Sequence, residues 1–357
     1  MNSNKTLVLI SPGFAINEED TTNLPFLQLL IKALNKKFPD WNIVIIAYQY
    51  PHTRSTYTWY GNKVISLYAK KGILRKPFEL IMLWRVLSKL NKEYNVVGTM
   101  SLWIGEHALI AKRFAIRHHK KSICWLIGQD VKKGNVFARL MQTQPYELVA
   151  MSDFLANEFY KNYGVMPSRI LPNGIDKTLF DNTNPNKDID IMGAGSLIPL
   201  KQYSIFVDVV NAVSKQLPGI KSILCGKGPE EKALRNQVAI LQLEDSIEIT
   251  NEKQHTEVLK LMQRSKVFLH PSSYEGFSTV CLEALYAGAH VISFCKPMHS
   301  EIQNWHIVAT KEEMAAKAYK LLNDPHTKYQ PIEVYKMDDI AQNVLNLFGY
   351  QLPENTI

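Results

Sequence analysis

Two glutamates eight residues apart, Glu275 and Glu283, carry the most informative chemistry in this chain of 357 residues. Apart from Glu283 and Tyr286, residues 280–287 are apolar or small. A buried carboxylate loses its hydration, so Glu283 requires water, a cation or hydroxyl donors as partners. The diol of a ribose would provide such donors. Glu275 follows the apolar run 267–269 and a polar loop, which predicts a position at the carboxyl end of a parallel strand, where open α/β sheets bind ligands.

Two glycine-rich turns accompany the glutamates. Residues 193–196 (Gly-Ala-Gly-Ser) follow a predicted strand and Lys201 begins the next predicted helix, and residues 225–229 (Cys-Gly-Lys-Gly-Pro) repeat this arrangement. Glycine lets backbone amides approach a phosphate, while a helix N-terminus and an ammonium group complement its charge. Either turn alone is equally typical of a tight strand–helix connection. Together with the glutamates, the two turns favour a nucleotide site.

Short apolar runs alternate with amphipathic stretches along nearly the whole chain, a pattern typical of parallel sheets covered by helices. The predicted strands are 6–10, 43–47, 122–127, 148–150, 190–194, 222–225, 246–249, 267–270 and 290–294. The predicted helices include 25–37, 77–94 and 102–117 in the first half, and they are 201–216, 230–241, 256–264, 278–286, 311–322 and roughly 334–348 in the second. The sequence therefore predicts an α/β fold.

A break in this periodicity predicts two domains. Leu171-Pro172-Asn173-Gly174 contains residues that favour a turn, and the length is too great for one compact core. We expect a first domain at 1–172, a second at 173–333, and a C-terminal helix within 334–357 that packs back across the domain seam.

The net charge of +8 is unevenly distributed. Residues 1–172 hold 23 Lys and Arg against 11 Asp and Glu, a net charge of +12, whereas the remainder has −4. The basic residues cluster at 70–76, 112–121 and 132–133. One interpretation is a solvated basic face; the other is a surface for an anionic membrane or an acidic acceptor. No nucleic-acid-binding module accompanies the charge, so we do not expect nucleic acid as a partner.

Composition predicts a cytoplasmic protein that can lie peripherally at the inner face of the plasma membrane. No apolar run approaches the ~20 residues that span a bilayer, and we expect no signal peptide. The four cysteines are far apart in sequence and have no paired spacing for zinc or a redox dithiol, which fits a reducing compartment.

Residues 173–288 resemble the carboxyl-terminal half of the retaining glycosyltransferases of family 4, which have the GT-B fold. The matching motifs are Asn173-Gly174-Ile175-Asp176, Gly195 through Lys201, Gly226-x-Gly228-Pro229, Glu275-Gly276-Phe277 and Glu283. The likeness extends more faintly over the first half, at 128–130 and 152–154. It implies two Rossmann-like parallel-sheet domains facing a central cleft, an acceptor-side domain followed by a nucleotide-sugar-binding domain.

The resemblance also implies roles for individual residues. Glu283 would accept hydrogen bonds from the ribose of the donor, Lys201 would hold the diphosphate, and Glu275 would face the donor sugar. The remaining donor-binding residues would be Gly195, Ser196, Gly226, Lys227, Gly228, Gly276, Phe277, Ser278 and Thr279. None of these is a nucleophile, and the family's chemistry relies on stabilising charge on the leaving diphosphate. We expect no metal and no cofactor other than the nucleotide-sugar (NDP-sugar) donor substrate.

In the first domain the resemblance places the acceptor. Asp130 is predicted as an acceptor-side polar group or base, with a helix N-cap as the alternative. Gly13, His107 and Gln129 are the other acceptor-side candidates, and for His107 a place on a helix surface is the alternative. The predicted catalytic residues are therefore Lys201, Glu275 and Asp130.

The chain departs from the family pattern at three places. Ser196 stands where members usually carry an arginine, Ile127 stands where they carry a histidine, and Thr21-Thr22 replaces a Gly-Gly pair. Lys227, or a basic residue of the first domain, could supply the cation that Ser196 lacks.

The resulting prediction is a metal-independent, hexosyltransferase-like retaining enzyme. It would move a sugar from a UDP- or GDP-sugar to a glycan or lipid-linked acceptor in surface polysaccharide or glycoconjugate biosynthesis. The alternative is a catalytically weak nucleotide-sugar-binding or regulatory protein on the same fold, which the departures at Ser196 and Ile127 would favour. An epimerase is disfavoured, since no acid/base pair is placed for proton abstraction at a sugar carbon.

Overall fold

The computed structural model describes residues 2–69, 76–181 and 185–350. The chain divides into two compact units. The first unit contains the described residues up to Gly174 together with those from Met337 onward, and the second unit is Ile175–Lys336.

An eight-stranded sheet forms the centre of the first unit. Its strands are β1 (Asn2–Gly13), β2 (Trp41–Tyr50), β3 (Ser55–Trp59), β4 (Asn62–Ser66), β5 (Tyr94–Leu102), β6 (Lys121–Leu126), β7 (Leu148–Ala150) and β8 (Arg169–Ile170). Their spatial order is β3-β4-β2-β1-β5-β6-β7-β8, and only the β3–β4 hairpin is antiparallel. Residues 7–10 of β1 are fully buried because helices cover both faces of a parallel sheet. The strand order reverses between β1 and β5, which makes this edge a switch point.

Five α-helices precede the second unit within the described residues. They are α1 (Pro25–Lys37), α2 (Lys76–Glu93), α3 (Glu106–Arg117), α4 (Val136–Met141) and α5 (Asp153–Tyr163). In α1, Pro25 occupies the first helical position, where its missing N–H costs nothing, and Lys36 and Lys37 complement the negative end of the helix dipole. Leu27, Leu30 and Leu34 repeat at helical spacing and are buried against the sheet.

The second unit contains a six-stranded, entirely parallel sheet. Its strands are β9 (Ile189–Ala194), β10 (Ser222–Cys225), β11 (Ile247–Thr250), β12 (Ser265–His270), β13 (His290–Ser293) and β14 (Trp305–Ile307). The helices are α6 (Tyr203–Ser214), α7 (Glu231–Ile240), α8 (His255–Gln263), α9 (Thr279–Tyr286) and α10 (Lys311–Asn323). The spatial order is β11-β10-β9-β12-β13-β14, so the switch point lies between β9 and β12.

The last helix, α11 (Met337–Leu347), belongs to the first unit. Lys37 at the end of α1 donates to the backbone carbonyl of Asp338 at 3.2 Å. Phe348 covers β5 so closely that a Cβ on Gly98 would lie 2.7 Å from its ring, which explains the glycine in a buried strand. Residues 351–357, the rest of the predicted C-terminal region, lie outside the described residues.

The predicted α/β class is confirmed, with differences in detail. The sequence interpretation missed strands β3, β4, β5, β8 and β14, and it began α3 too early, at residue 102 instead of Glu106. Gly98 and the polar residues Thr99 and Ser101 obscured β5, because tertiary packing rather than its own composition buries this strand.

Candidate functional site

The predicted donor residues of the second unit gather at the switch point of its sheet. Gly195 directly follows β9, and Glu275 lies in the loop between β12 and α9. Because parallel strands end at the same edge, the two loops leave the sheet side by side. The turn after β10 is the next neighbour.

The two glycine-rich turns pack backbone against backbone. A Cβ on Gly226 would lie 1.9 Å from the carbonyl oxygen of Gly195, and a Cβ on Gly228 would lie 2.3 Å from that of Leu197. The amide of Leu197 donates to the carbonyl of Lys227 at 3.0 Å. Only glycine permits this approach, so residues 226 and 228 fix the course of the loop that leads to Lys201.

Lys201 and Glu275 form the central contact of the site. The Lys201 Nζ atom lies 2.5 Å from Glu275 Oε2, and both side chains are largely buried. His270, at the end of β12, lies with Nε2 3.2 Å from the same oxygen. Burial lowers the pKa of His270, so its ring is neutral and donates from Nε2 to Glu275. Its Nδ1 atom is buried and has no hydrogen-bond partner among the described residues.

These contacts keep Glu275 ionised. Burial by itself would raise the pKa of the carboxyl group, but the hydrogen bond from His270 and the charge of Lys201 outweigh burial and lower the pKa to about 2. At neutral pH Glu275 is therefore a hydrogen-bond acceptor and carries no proton to donate. It suits recognition of sugar hydroxyls and does not suit general acid catalysis.

Glu283 is held by a second histidine. Glu283 as a residue is 8% exposed, and His255 Nε2 at the start of α8 lies 2.8 Å from its Oε1. Burial opposes charge on His255, yet the hydrogen bond and charge of Glu283 raise the pKa of the imidazole overall. The partner that the sequence required for Glu283 is thus present in the protein itself.

The other predicted donor residues differ in what they expose. Ser196 and Lys227 are exposed at the tips of the two turns, while Gly276 is buried. Phe277 turns its ring into the core against Trp305 and Tyr335, so only its backbone can face a ligand. Ser278 is the N-cap of α9, and Thr279 is the first residue of that helix.

In the first unit, Asp130 is buried in a short helical turn that begins at Gln129. Its two oxygens accept from the backbone amides of Ile104 at 3.0 Å and Gly128 at 2.8 Å. Burial raises the pKa of Asp130 to about 6 although the amides oppose the shift. Asp130 therefore holds two loops together, and the N-cap position belongs to Gly128 rather than to Asp130.

The remaining acceptor-side candidates lie at the switch point of the first unit. His107 is buried beside Tyr48, and its Nε2 donates to the carbonyl of Leu102 at 2.9 Å, so a helix-surface position is excluded. Burial lowers the pKa of His107, which keeps the ring neutral. Gly13 ends β1 and lines an open cavity.

His255 and His270 are the site residues that sequence reasoning missed. His270 had a signal, because a histidine that ends an apolar strand beside Glu275 must find a partner when buried. His255 had none, since its contact with Glu283 joins two helices that only the fold brings together.

The acidic pair at the start of β9 is structural. Asp188 pairs with Arg264 and Asp190 with Lys266, both within 2.8 Å. Among residues 2–69, 76–181 and 185–350, no group of three or more His, Cys, Asp or Glu side chains is arranged to hold a metal ion. No helix in these ranges is both long and apolar enough to span a bilayer.

Comparison with known proteins identifies a matching family model and curated relatives. The family model for glycosyl transferases group 1 matches residues 175–336. The phosphatidylinositol N-acetylglucosaminyltransferase gpi3 subunit of Schizosaccharomyces pombe is 29% identical over 127 residues, 35% of this chain and 28% of that protein. The 2-deoxystreptamine N-acetyl-D-glucosaminyltransferase of Niallia circulans is 26% identical over 173 residues, 44% of each chain. The chain thus matches less than half the length of either curated relative.

A solved structure extends the likeness to both units. The pneumococcal O-GlcNAc transferase GtfA, in complex with UDP and GlcNAc, superposes with a TM-score of 0.71 at 14% identity, covering 97% of this chain and 99% of that chain. At this identity the superposition establishes the fold, and it confirms the predicted GT-B architecture.

The low pKa of Glu275 predicts a pH-dependent contribution to stability. Because the folded pKa, about 2, is below the ordinary value of 4.5, the contribution is complete above about pH 4.5 and declines as the pH falls toward 2. The stability advantage of the wild type over Glu275→Gln should therefore shrink by about 1.4 kcal/mol per pH unit below 4.5. Urea unfolding of both proteins between pH 3 and 7 measures this, with Glu248→Gln, at an exposed glutamate of β11, as the control. A constant difference across that range would contradict the assigned ion pair.

Proposed function

Through residues 175–336 this chain belongs to the glycosyl transferases group 1, and from that premise we propose that it is a retaining glycosyltransferase with a UDP-sugar donor. The acceptor is a glycan or a lipid-linked acceptor, as in surface polysaccharide or glycoconjugate biosynthesis. The observation that carries the proposal is the contact of Lys201 with Glu275 at the β9/β12 switch point, beside two glycine-rich turns.

Each part of this arrangement suits one part of the donor. The ammonium of Lys201 and the amides of the turns complement a diphosphate. Glu275, ionised and oriented by His270, accepts from hydroxyls of the donor sugar. The His255 hydrogen bond uses Oε1 of Glu283, and we assign Oε2 to the ribose diol.

Catalysis in this proposal is electrostatic. When the bond to the anomeric carbon breaks, negative charge grows on the leaving diphosphate, and Lys201 is held in place to stabilise it. Glu275 fixes the ammonium before the donor arrives, so little reorganisation is needed during the reaction. The acceptor hydroxyl attacks on the face from which the diphosphate leaves and gives its proton to the departing diphosphate oxygen, so the new bond forms with retention.

The relatives support a particular donor for the first test. Two curated relatives are named as N-acetylglucosaminyltransferases, and the superposed pneumococcal structure contains UDP and GlcNAc. We therefore propose UDP-N-acetylglucosamine ahead of a GDP-sugar as the donor.

We assign the acceptor to the first unit. Gly13 ends β1, and Gln129 begins the short helical turn that contains Asp130. Asp130 and His107 act as positioning residues, because their polar atoms form hydrogen bonds with the backbone.

We also propose that the first unit lies on an anionic membrane. Helices α3 and α4 expose Ile116 (64%) and Leu140 (55%) beside the exposed cations Arg113 and Arg139. Apolar side chains among cations are typical of interfacial binding. Lys112 does not contribute to this face, because it is buried and pairs with Glu147 at 2.7 Å. Lys70, Lys71 and Arg75 of the predicted basic clusters lie outside the described residues, and the side chain of Lys76 is not described.

Removing the Glu283 carboxylate should weaken nucleotide binding. We expect Glu283→Ala to raise the dissociation constant for UDP by about 10- to 150-fold, since a hydrogen bond to a charged group contributes about 1.5–3 kcal/mol. Calorimetric titration measures the effect. Glu248→Ala, an exposed glutamate of the same unit, should bind UDP as the wild type does. An unchanged dissociation constant in Glu283→Ala would remove the ribose assignment.

Lys201→Met should affect turnover more than donor affinity, because the charge on the diphosphate grows toward the transition state. We expect kcat for release of UDP from UDP-N-acetylglucosamine to fall about 100-fold, with a smaller change in KM. Lys260→Met, an exposed lysine of α8, serves as the control. If donor affinity and kcat/KM fell by the same factor while kcat stayed unchanged, Lys201 would contribute only to ground-state binding of the donor. Tight UDP binding without any turnover by the wild type would instead favour the regulatory alternative.

Membrane binding should depend on ionic strength. The protein should sediment with phosphatidylglycerol vesicles at about 50 mM salt, where charge screening is weak. It should dissociate from them when the salt concentration is raised about tenfold. Arg113→Glu with Arg139→Glu should reduce binding, whereas Lys232→Glu on α7 of the second unit should not. Binding that ignores salt would contradict an electrostatic attachment.

A further inference from the structure

A side-chain hydrogen bond between α8 and α9 holds the carboxylate that we assign to the ribose. His255 is the first residue of α8, and Glu283 lies in the second turn of α9. The Nε2 atom of His255 lies 2.8 Å from Oε1 of Glu283. The two side chains are 21% and 11% exposed, so the pair is largely shielded from water while each member keeps an accessible part.

The start of α8 fixes where the imidazole lies. The backbone amide of Gln254 donates to Glu257 Oε2 at 3.1 Å, and the amides of Glu257 and Val258 donate to the carbonyl of Gln254 at 3.0 and 3.1 Å. These bonds close the first turn of the helix around the residue that precedes His255. The imidazole is therefore attached to a rigid helix end rather than to a loop.

The backbone of Glu283 is also fixed. Its neighbours Leu282 and Ala284 are fully buried, and its carbonyl accepts from the amide of Ala287 at 2.8 Å. A fixed backbone does not by itself orient the carboxylate, because the terminal torsion of a glutamate side chain is broad. The orientation must come from a side-chain partner, and His255 is that partner.

The chemistry of the contact determines the direction of the hydrogen bond. An ionised carboxylate has only acceptors, so Nε2 of His255 carries the proton. This holds both for the neutral imidazole and for the imidazolium cation. The contact therefore persists whether or not the second ring nitrogen is protonated.

The hydrogen bond makes the two carboxylate oxygens unequal. Oε1 accepts from His255, so Oε2 is the oxygen that we assign to the ribose. A carboxylate oxygen offers about two lone pairs, which match the two adjacent hydroxyls of a ribose. A 2′-deoxyribose has one of these hydroxyls and would leave one acceptor position of a largely buried carboxylate unfilled. The orientation of Glu283 thus suits discrimination between the two sugars.

We propose that His255 is a positioning residue of the nucleotide site, which holds Glu283 in the orientation that accepts both ribose hydroxyls and so disfavours donors built on 2′-deoxyribose. The inference rests on the proposed function and deepens it, because it names the residue on which recognition of the ribose depends. Without His255 the carboxylate turns toward water, since an unpaired buried charge is unfavourable. The ribose then loses an acceptor that was oriented in advance, whereas a 2′-deoxyribose, which uses that acceptor less, loses little.

The test compares UDP with 2′-deoxy-UDP, which differ by one hydroxyl and share the base and the diphosphate. Calorimetric titration of the full chain gives the ratio of the two dissociation constants. The wild type should bind UDP about 10- to 100-fold more tightly, the range for one hydrogen bond to a charged group. In His255→Leu the ratio should fall below about 3, mainly through weaker binding of UDP.

Two amide variants separate the hydrogen bond from the shape of the ring. His255→Gln places an N–H donor at nearly the reach of Nε2 and should keep a ratio of about 10. His255→Asn is shorter by one methylene, cannot bring its amide to Glu283 and should behave as His255→Leu does. If His255→Leu does not fold, this pair provides the test, and equal ratios in the two amide variants would overturn the assignment.

His326→Leu is the matched control. His326 is an exposed histidine of the same unit beyond the end of α10, and its backbone amide donates to Asp324 Oδ1 at 2.9 Å. The control should show the wild-type ratio. A histidine that only tied α8 to α9 would affect both nucleotides alike, so a wild-type ratio in His255→Leu would exclude the positioning role.

The Glu283→Ala titration separates the inference from the proposed function. Weaker UDP binding in Glu283→Ala together with a wild-type ratio in His255→Leu overturns the role of His255 and leaves the ribose assignment in place. Equal affinity of the wild type for the two nucleotides means that Glu283 does not recognise the 2′-hydroxyl, which overturns the inference alone. Binding of neither nucleotide by the wild type overturns the proposed function and the positioning role that rests on it.

Discussion

A cation held in a largely buried position is the constraint around which the second unit is organised. Lys201 lies 2.5 Å from Glu275, and His270 approaches the same carboxylate oxygen at 3.2 Å. Removing Lys201 or Glu275 would leave an uncompensated buried charge, so these two side chains form one unit energetically, and His270 adds a hydrogen bond to it. The loops that carry them must leave adjacent strands, and the β9/β12 reversal of strand order provides that adjacency.

The glycine-rich turns and this charge cluster depend on each other. Gly226 and Gly228 allow the second turn to press against Gly195 and Leu197, which sets the path of the chain into the short helical turn that ends at Lys201. A larger residue at 226 would collide with a backbone carbonyl rather than with a movable side chain. The position of the Lys201 ammonium thus depends on Gly226 and Gly228 in the neighbouring turn, because these residues have no side chains.

Sequence reasoning succeeded where the local pattern and the fold agree. Helix α1 was predicted with its observed bounds, because a proline start, a basic end and periodic leucines all point the same way. It failed where distant packing decides: β5 is buried under Phe348 from the far end of the chain, and His255 meets Glu283 only after α8 and α9 are placed. Glu275 and Lys201 could be predicted as neighbours because parallel strands share an edge. The cavity that Gly13 lines could not, since Tyr68 and Trp103 of its wall have left-handed backbone, which has no signature in their composition.

The return of α11 to the first unit has a consequence for biogenesis. During translation, residues 175–336 leave the ribosome before the helix that covers α1 and β5 has been made. During this interval the surface of β5 around Gly98 would be uncovered, although the second unit could already fold. Newly made chains in this interval would be the ones most exposed to association with one another, and the final segment would end that exposure when it docks.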